Sequence, residues 1–298
     1  MVAYVSARFL LAAALLVTAA CQNDAQASCF VPEAVLPKRD ATLTDPKLGQ
    51  SARDLAEALY DRDLPRAERL LAADPALATV RVGERHSMLT VALATCEPRA
   101  VDLLIRRGAP LDVTGDGGTL QLALMAKQPD FALALLKAGA KPMPPESPLG
   151  PVDIATALGS MGGVRMLLDF GLDPKFRDRL GNSPLGNALD ADRFEIAELL
   201  LDRGADPWAI DVTGGNLAYA VTMPMMRDDP DDEAAQKRLA ARLPKLGWPT
   251  PHPSPAEIRR LALDGRWPPA HAKAPPVPEG VLAVMAENAR RESGARTQ

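Results

Sequence analysis

Residues 178–207 open with Asp178-Arg179-Leu180-Gly181-Asn182-Ser183-Pro184-Leu185 and close with Leu200-Leu201-Asp202-Arg203-Gly204-Ala205-Asp206-Pro207. Ser183 stands where a hydroxyl can accept a hydrogen bond from the first free amides of a helix. Pro184 follows at the first helical position, where a missing N–H costs nothing. At the other end a helix runs out through two consecutive leucines and stops at Gly204, because a helix terminator favours the left-handed backbone that a side chain resists. The same ending recurs at Leu103-Leu104 to Gly108, Leu135-Leu136 to Gly139 and Leu167-Leu168 to Gly171. Successive glycines in this series lie 31, 32 and 33 residues apart. Upstream of each sits a second apolar block that contains alanine: Leu89–Leu93, Leu120–Leu124, Val152–Ala155 and Leu185–Leu189. A period in this range is the mark of a repeat array. Each unit reads as a short helix, a tight turn, a second helix, a glycine stop and a polar loop.

This pattern resembles the ankyrin repeat, whose inner helix begins T-P-L-H-x-A and whose outer helix ends L-L-x-x-G-A. Residues 178–207 follow it most closely. The starts Ser87-Met88, Gly118-Thr119 and Gly150-Pro151 depart from it. A first unit aligns at Leu55–Leu59 and Ala67–Leu71, ending at Asp74-Pro75 without the glycine. A sixth begins at Gly214, and its outer helix, Ala234 to Leu246, follows an intervening stretch from Met223 to Asp232. The resemblance spans residues 48–250. It implies an all-α fold, an ankyrin-repeat solenoid of about six helix-turn-helix repeats. Pro249, Pro251, Pro253 and Pro255 then form an extended linker. Helices expected over Pro255–Asp264 and Gly280–Glu292 make residues 251–298 a Pro-rich linker and helical C-terminal cap. Trp248 and Trp267 each precede a proline near a helix end, where they serve either as cap anchors or as an aromatic hot spot for a partner.

The first twenty residues read as a leader. Arg8 precedes the run Phe9 to Val17, too short to span a bilayer but long enough for a signal-peptide core. Two exits are open. Val17-Thr18-Ala19-Ala20-Cys21 resembles a bacterial lipobox, with Thr18 where leucine is usual, and would make Cys21 the lipidated first residue. Ala25-Gln26-Ala27 would instead direct ordinary cleavage before Ser28. The lipobox reading makes residues 1–20 a lipoprotein-type signal and 21–47 an N-terminal linker. Gln22 after the cysteine favours the outer membrane by resemblance to enterobacterial lipoproteins. Export leaves Cys29 and Cys96 in an oxidising compartment, where they either pair, tying the N-terminal segment to the second repeat, or remain free thiols.

Chemistry is not visible in the sequence. His86, His252 and His271 are scattered, and no nucleophile elbow, phosphate loop or zinc-binding helix occurs. Gly115-Asp116-Gly117-Gly118 lies at a repeat hairpin and lacks a following lysine. The acidic run Asp228–Glu233 lacks the alternating ligands of a calcium loop and reads as a solvated insertion whose last members favour the next helix start. The net charge is −4, with no basic stripe, which argues against a nucleic-acid partner. Aromatic residues make up only 4% of the chain, a composition that suits closely packed short helices. The expectation is therefore a non-enzymatic protein with no cofactor, no metal and no small-molecule substrate.

The family resemblance implies a concave surface of hairpin tips and inner helices. Carried over position by position, the second repeat presents Glu84, His86 and Thr95, and the third Thr114, Asp116 and Met125. The fifth presents Arg179, Asn182, Asp190 and Ala191, and the sixth Thr213 and Tyr219. Mixed polarity along this surface points to a protein partner. The expected role is a periplasmic, membrane-tethered protein-interaction module, with an immunity protein against a secreted antibacterial effector as its sharper form. The alternative is an envelope structural or oxidative-stress protein in which a Cys29–Cys96 disulfide matters.

Overall fold

The computed structural model describes residues 29–32, 34–112, 118–145, 147–224 and 229–295. Cys21 and the leader lie outside these residues, as do Thr114 and Asp116. Two compact units follow one another along the chain, residues 1–146 and 147–298.

In the first unit the inner helices of three repeats are Gln50–Tyr60, Met88–Ala94 and Thr119–Leu124. Their outer helices are Leu64–Ala73, Pro98–Arg106 and Asp130–Lys137. The second unit repeats the plan with inner helices Gly150–Ala157, Pro184–Asp190 and Leu217–Thr222, and outer helices Met161–Asp169, Phe194–Asp202 and Pro230–Leu246. One alanine of each inner helix from the second repeat onward (Ala92, Ala123, Ala155, Ala188 and Ala218) is fully or almost fully buried. With no side chain beyond Cβ, these positions let neighbouring helices approach closely. The outer helices contribute a matching series of buried leucines, Leu71, Leu104, Leu135, Leu167, Leu200 and Leu243. Gly204 adopts φ +96, and the next amide, Ala205 N–H, returns to the Leu200 carbonyl at 2.9 Å. The same closing bond joins Ala109 to Leu104, Ala140 to Leu135, Leu172 to Leu167 and Trp248 to Leu243.

Three inner-helix starts are capped by other means than the family pattern, whereas Gly150–Ala157 begins without a side-chain cap. Ser87 and Thr90 form a reciprocal capping box, Gln121 accepts from the Gly118 amide, and Asn216 accepts from Tyr219 N–H. Among the described residues the hairpin becomes regular strand only in the second repeat, where Arg81–Val82 pairs antiparallel with His86–Ser87.

Three stretches differ from the sequence expectation. The described part of residues 21–47 is packed structure. Val31 N–H donates to the Met125 carbonyl at 3.0 Å, Lys127 N–H donates to the Cys29 carbonyl at 2.9 Å, and Phe30 stacks on Phe131. Cys29 is joined to Cys96 in a disulfide. The segment then reaches the first inner helix, where Tyr60 Oη donates to the Pro37 carbonyl and meets Thr42 Oγ1, and it forms a short helix at Arg39–Leu43. The acidic run, expected to be a solvated insertion, mostly enters the sixth outer helix, which starts at Pro230 under an Asp229 cap. Carboxylates in a first helical turn complement the helix dipole. Asp232 additionally accepts from Glu195 N–H at 2.9 Å.

The third difference lies in what the C-terminal helices, Pro255–Leu263 and Glu279–Ala295, pack against. They contact the loops before the fifth and sixth inner helices. Arg259 donates to the Thr213 carbonyl at 2.6 Å, Pro255 lies against Gly214, and Gly280 lies against the Arg179 carbonyl. Trp248 and Trp267 are both buried with Trp208. Indole centroids are 4.5 Å apart for Trp208–Trp248 and 5.5 Å for Trp208–Trp267. The two tryptophans are therefore anchors and not an exposed hot spot. His271 is exposed, packs edge-on to Trp208 and hydrogen-bonds the Gly247 carbonyl.

Candidate functional site

In the second unit a groove of about 170 Å³ opens between the fifth and sixth inner helices and the loops that precede them. Its floor is apolar, with Leu185, Leu189, Ile210 and Ala220. Asn182, Asn187, Asp190, Asp192, Asp211 and Asn216 supply the polar lining. Two exposed side chains one helical turn apart, Tyr219 and Met223, also line it. Tyr219 is 39% exposed and Met223 60%, which leaves two large apolar groups to solvent beside the groove.

The local sequence explains why the groove holds its shape. Asp178 Oδ1 accepts from the amides of Leu180 and Asn182, and its Oδ2 accepts from Asn182 Nδ2. Asp211 does the same one repeat later, accepting from Thr213 and Gly215 amides. An aspartate that satisfies backbone donors two and four residues on fixes a turn without external support. The two loops are tied together where Val212 N–H donates to the Leu180 carbonyl. Beneath the first loop, Arg177 and Asp206 form a mostly buried ion pair.

Electrostatics at the groove are one-sided. Among the described residues no lysine, arginine or histidine lines it. Partial burial, reinforced by the nearby charge of Asp211, pushes the Asp190 carboxyl above the ordinary aspartate range although its side chain reaches solvent at the rim. On the neighbouring inner helix, burial does the same to Asp153, helped by Asp178 and opposed by a hydrogen bond from Asn187.

Among the partner-facing residues expected from sequence, Asn182, Asp190 and Tyr219 come together in this groove. Arg179 is exposed, but its backbone is covered by Gly280. In the first unit, Glu84 is exposed at the hairpin turn, its carbonyl accepting from Arg81. His86 is half-buried, and burial followed by the charge of Arg85 lowers its pKa. Met125 is half-buried beside the N-terminal segment. Thr95 requires correction. It is 3% exposed, and its hydroxyl donates to the Ala92 carbonyl, so it cannot reach a partner. Sequence reading passed over Met223 and Asp211. The four-residue spacing from Tyr219 and the aspartate spacing shared with Asp178 were the signals available for them.

No protein-family model and no curated protein matches the chain. Solved structures do. It is similar to the ankyrin repeat domain of Bcl-3, described as a unique member of the IkappaB protein family, at 19% identity and a TM-score of 0.52. That match covers 78% of this chain and 97% of the other. An ankyrin repeat domain from Acinetobacter baumannii matches at 20% identity and 0.51, covering 63% and 96%. The human ASB11 ankyrin repeat domain matches at 18% and 0.50, covering 78% and 96%. At these identities the likeness establishes the fold, which is the all-α ankyrin-repeat fold.

Proposed function

We propose that this chain is a protein-binding module of the bacterial envelope and that the groove between its fifth and sixth inner helices is the recognition surface. The observation that carries this reading is the exposed pair Tyr219 and Met223 at the mouth of a preformed apolar groove. Aromatic and methionine side chains of this kind are enriched where proteins dock. A photo-crosslinking amino acid at position 219 should trap one discrete partner in intact cells. The same group at Glu68, exposed on the first outer helix, should not. Identical labelling patterns at both positions would overturn the assignment.

In the same reading the leader directs export, Cys21 is lipidated and the protein is held at the outer membrane. Metabolic labelling with palmitate that persists in a Cys21→Ala variant would defeat the lipid anchor. The sharper version, an immunity protein for a delivered antibacterial effector, fails if a deletion strain remains fully resistant to its toxin-producing neighbour. The Cys29–Cys96 disulfide favours a second reading, an envelope structural or oxidative-stress role. Unchanged oxidant sensitivity in the Cys29→Ser/Cys96→Ser strain would remove it.

A further inference from the structure

We infer that the groove between the fifth and sixth inner helices takes an arginine or lysine side chain projecting from a protein partner. The inference rests on the recognition surface proposed above and specifies the chemistry of its occupant.

Size is the first argument. Pockets for drug-sized ligands measure ~300–1,000 Å³. At about 170 Å³ this groove accommodates one long side chain rather than a metabolite. Charge is the second. Asp190 and Asp211 line the groove, and among the described residues no cationic side chain does. Asp211 is occupied by the amides of its own loop, whereas Asp190 stands at the rim. The Asp190 carboxyl is held above its ordinary pKa by burial and by Asp211, so its ionised form gains when a cation arrives. The third argument is the shape of the polarity. The apolar floor of Leu185 and Leu189 suits a methylene stem, because long basic side chains bury their stems while the head stays polar. Tyr219 at the mouth offers its ring to a guanidinium or ammonium group. A carboxylate-bearing segment would meet the like charge of Asp190 at the rim. A purely apolar one would leave Asp190 desolvated without compensation.

The test is selection of random displayed peptides on the intact protein, followed by titration of the enriched peptides against variants. Peptides that occupy the groove will lose binding to Tyr219→Ser and to Met223→Ser. The two substitutions are at exposed positions, and circular dichroism will verify their folding. Enriched peptides should share an arginine or lysine, and Asp190→Asn should weaken them on the order of tenfold. Changing that peptide cation to glutamine should cost the same tenfold against wild type and nothing further against Asp190→Asn. Groove-dependent peptides that lack a cation, or that bind Asp190→Asn as well as wild type, overturn the inference while leaving the recognition surface intact. If no enriched peptide responds to either mouth substitution, both ideas fall.

Discussion

Reduction of the Cys29–Cys96 disulfide should lower the stability of the first unit substantially. The two cysteines are separated by 67 positions. Cross-linking a loop of that length removes chain entropy from the unfolded ensemble worth about 4 kcal/mol at room temperature. Whole domains are stable by only ~5–15 kcal/mol, so the loss is a large share of the total. The native contacts of the tied segment include two backbone hydrogen bonds at Met125 and Lys127, the Phe30–Phe131 stack, the Tyr60–Pro37 and Tyr60–Thr42 contacts and the Arg39–Asp61 ion pair. In the chain-entropy account these contacts stay in place when the covalent link is cut, and the effect acts through the unfolded chain. Urea unfolding followed by far-ultraviolet circular dichroism will measure it on wild type and on Cys29→Ser/Cys96→Ser, each with and without reductant. The double variant should unfold at markedly lower urea than oxidised wild type, and reductant should bring wild type down to meet it. Unfolding free energies that agree to within about 0.5 kcal/mol without reductant would refute the entropic reasoning.

Three further outcomes are expected. Trp208→Ala should cost about 3–5 kcal/mol, because it removes the indole that both other tryptophans pack against. A thermal melt within a few degrees of wild type would contradict this. Asp153→Asn should raise the melting temperature at neutral pH. A carboxyl whose folded pKa lies above its unfolded value makes stability fall as pH rises from the ordinary aspartate range through the raised value, so the gain should shrink as pH is lowered through that window. A gain that is constant with pH would mean that charge is not its source. Gly214→Ala should cost about 2–4 kcal/mol, from its φ of +81 and from a new Cβ placed against the Pro255 carbonyl. Limited proteolysis should then cut more readily after residue 250, and unchanged digestion would argue against the contact.

The repeats were legible because their signals are local. Glycine stops, paired leucines and the alanine of each inner helix recur at fixed spacing, and each acts within a few residues of itself. Two of the weaker helix starts are capped, with Gln121 and Asn216 doing this work in place of the expected threonine and proline. What the sequence concealed is non-local. Nothing near Phe30 announces Phe131, and nothing near Gly280 announces the carbonyl of Arg179. Both lie far apart in sequence and meet only once the repeats are stacked. The same holds for the groove. Asn182, Asp190 and Tyr219 could be assigned to one face by repeat position, but Thr95 was assigned by the same rule and is buried. A position within a repeat does not fix whether the side chain turns outward or back to its own helix.

The clustered tryptophans have an optical consequence. Trp208, Trp248 and Trp267 are all the tryptophans in the chain, and their rings lie within 5.5 Å of one another, centre to centre. Intrinsic fluorescence excited in the red edge of the indole band therefore comes from one place in the second unit, while the first unit is dark. Trp208 directly precedes Ala209 and Ile210, which line the groove. A partner that seats there should be detectable by the emission of the unlabelled protein alone, so the molecule carries a native dye beside its proposed docking site.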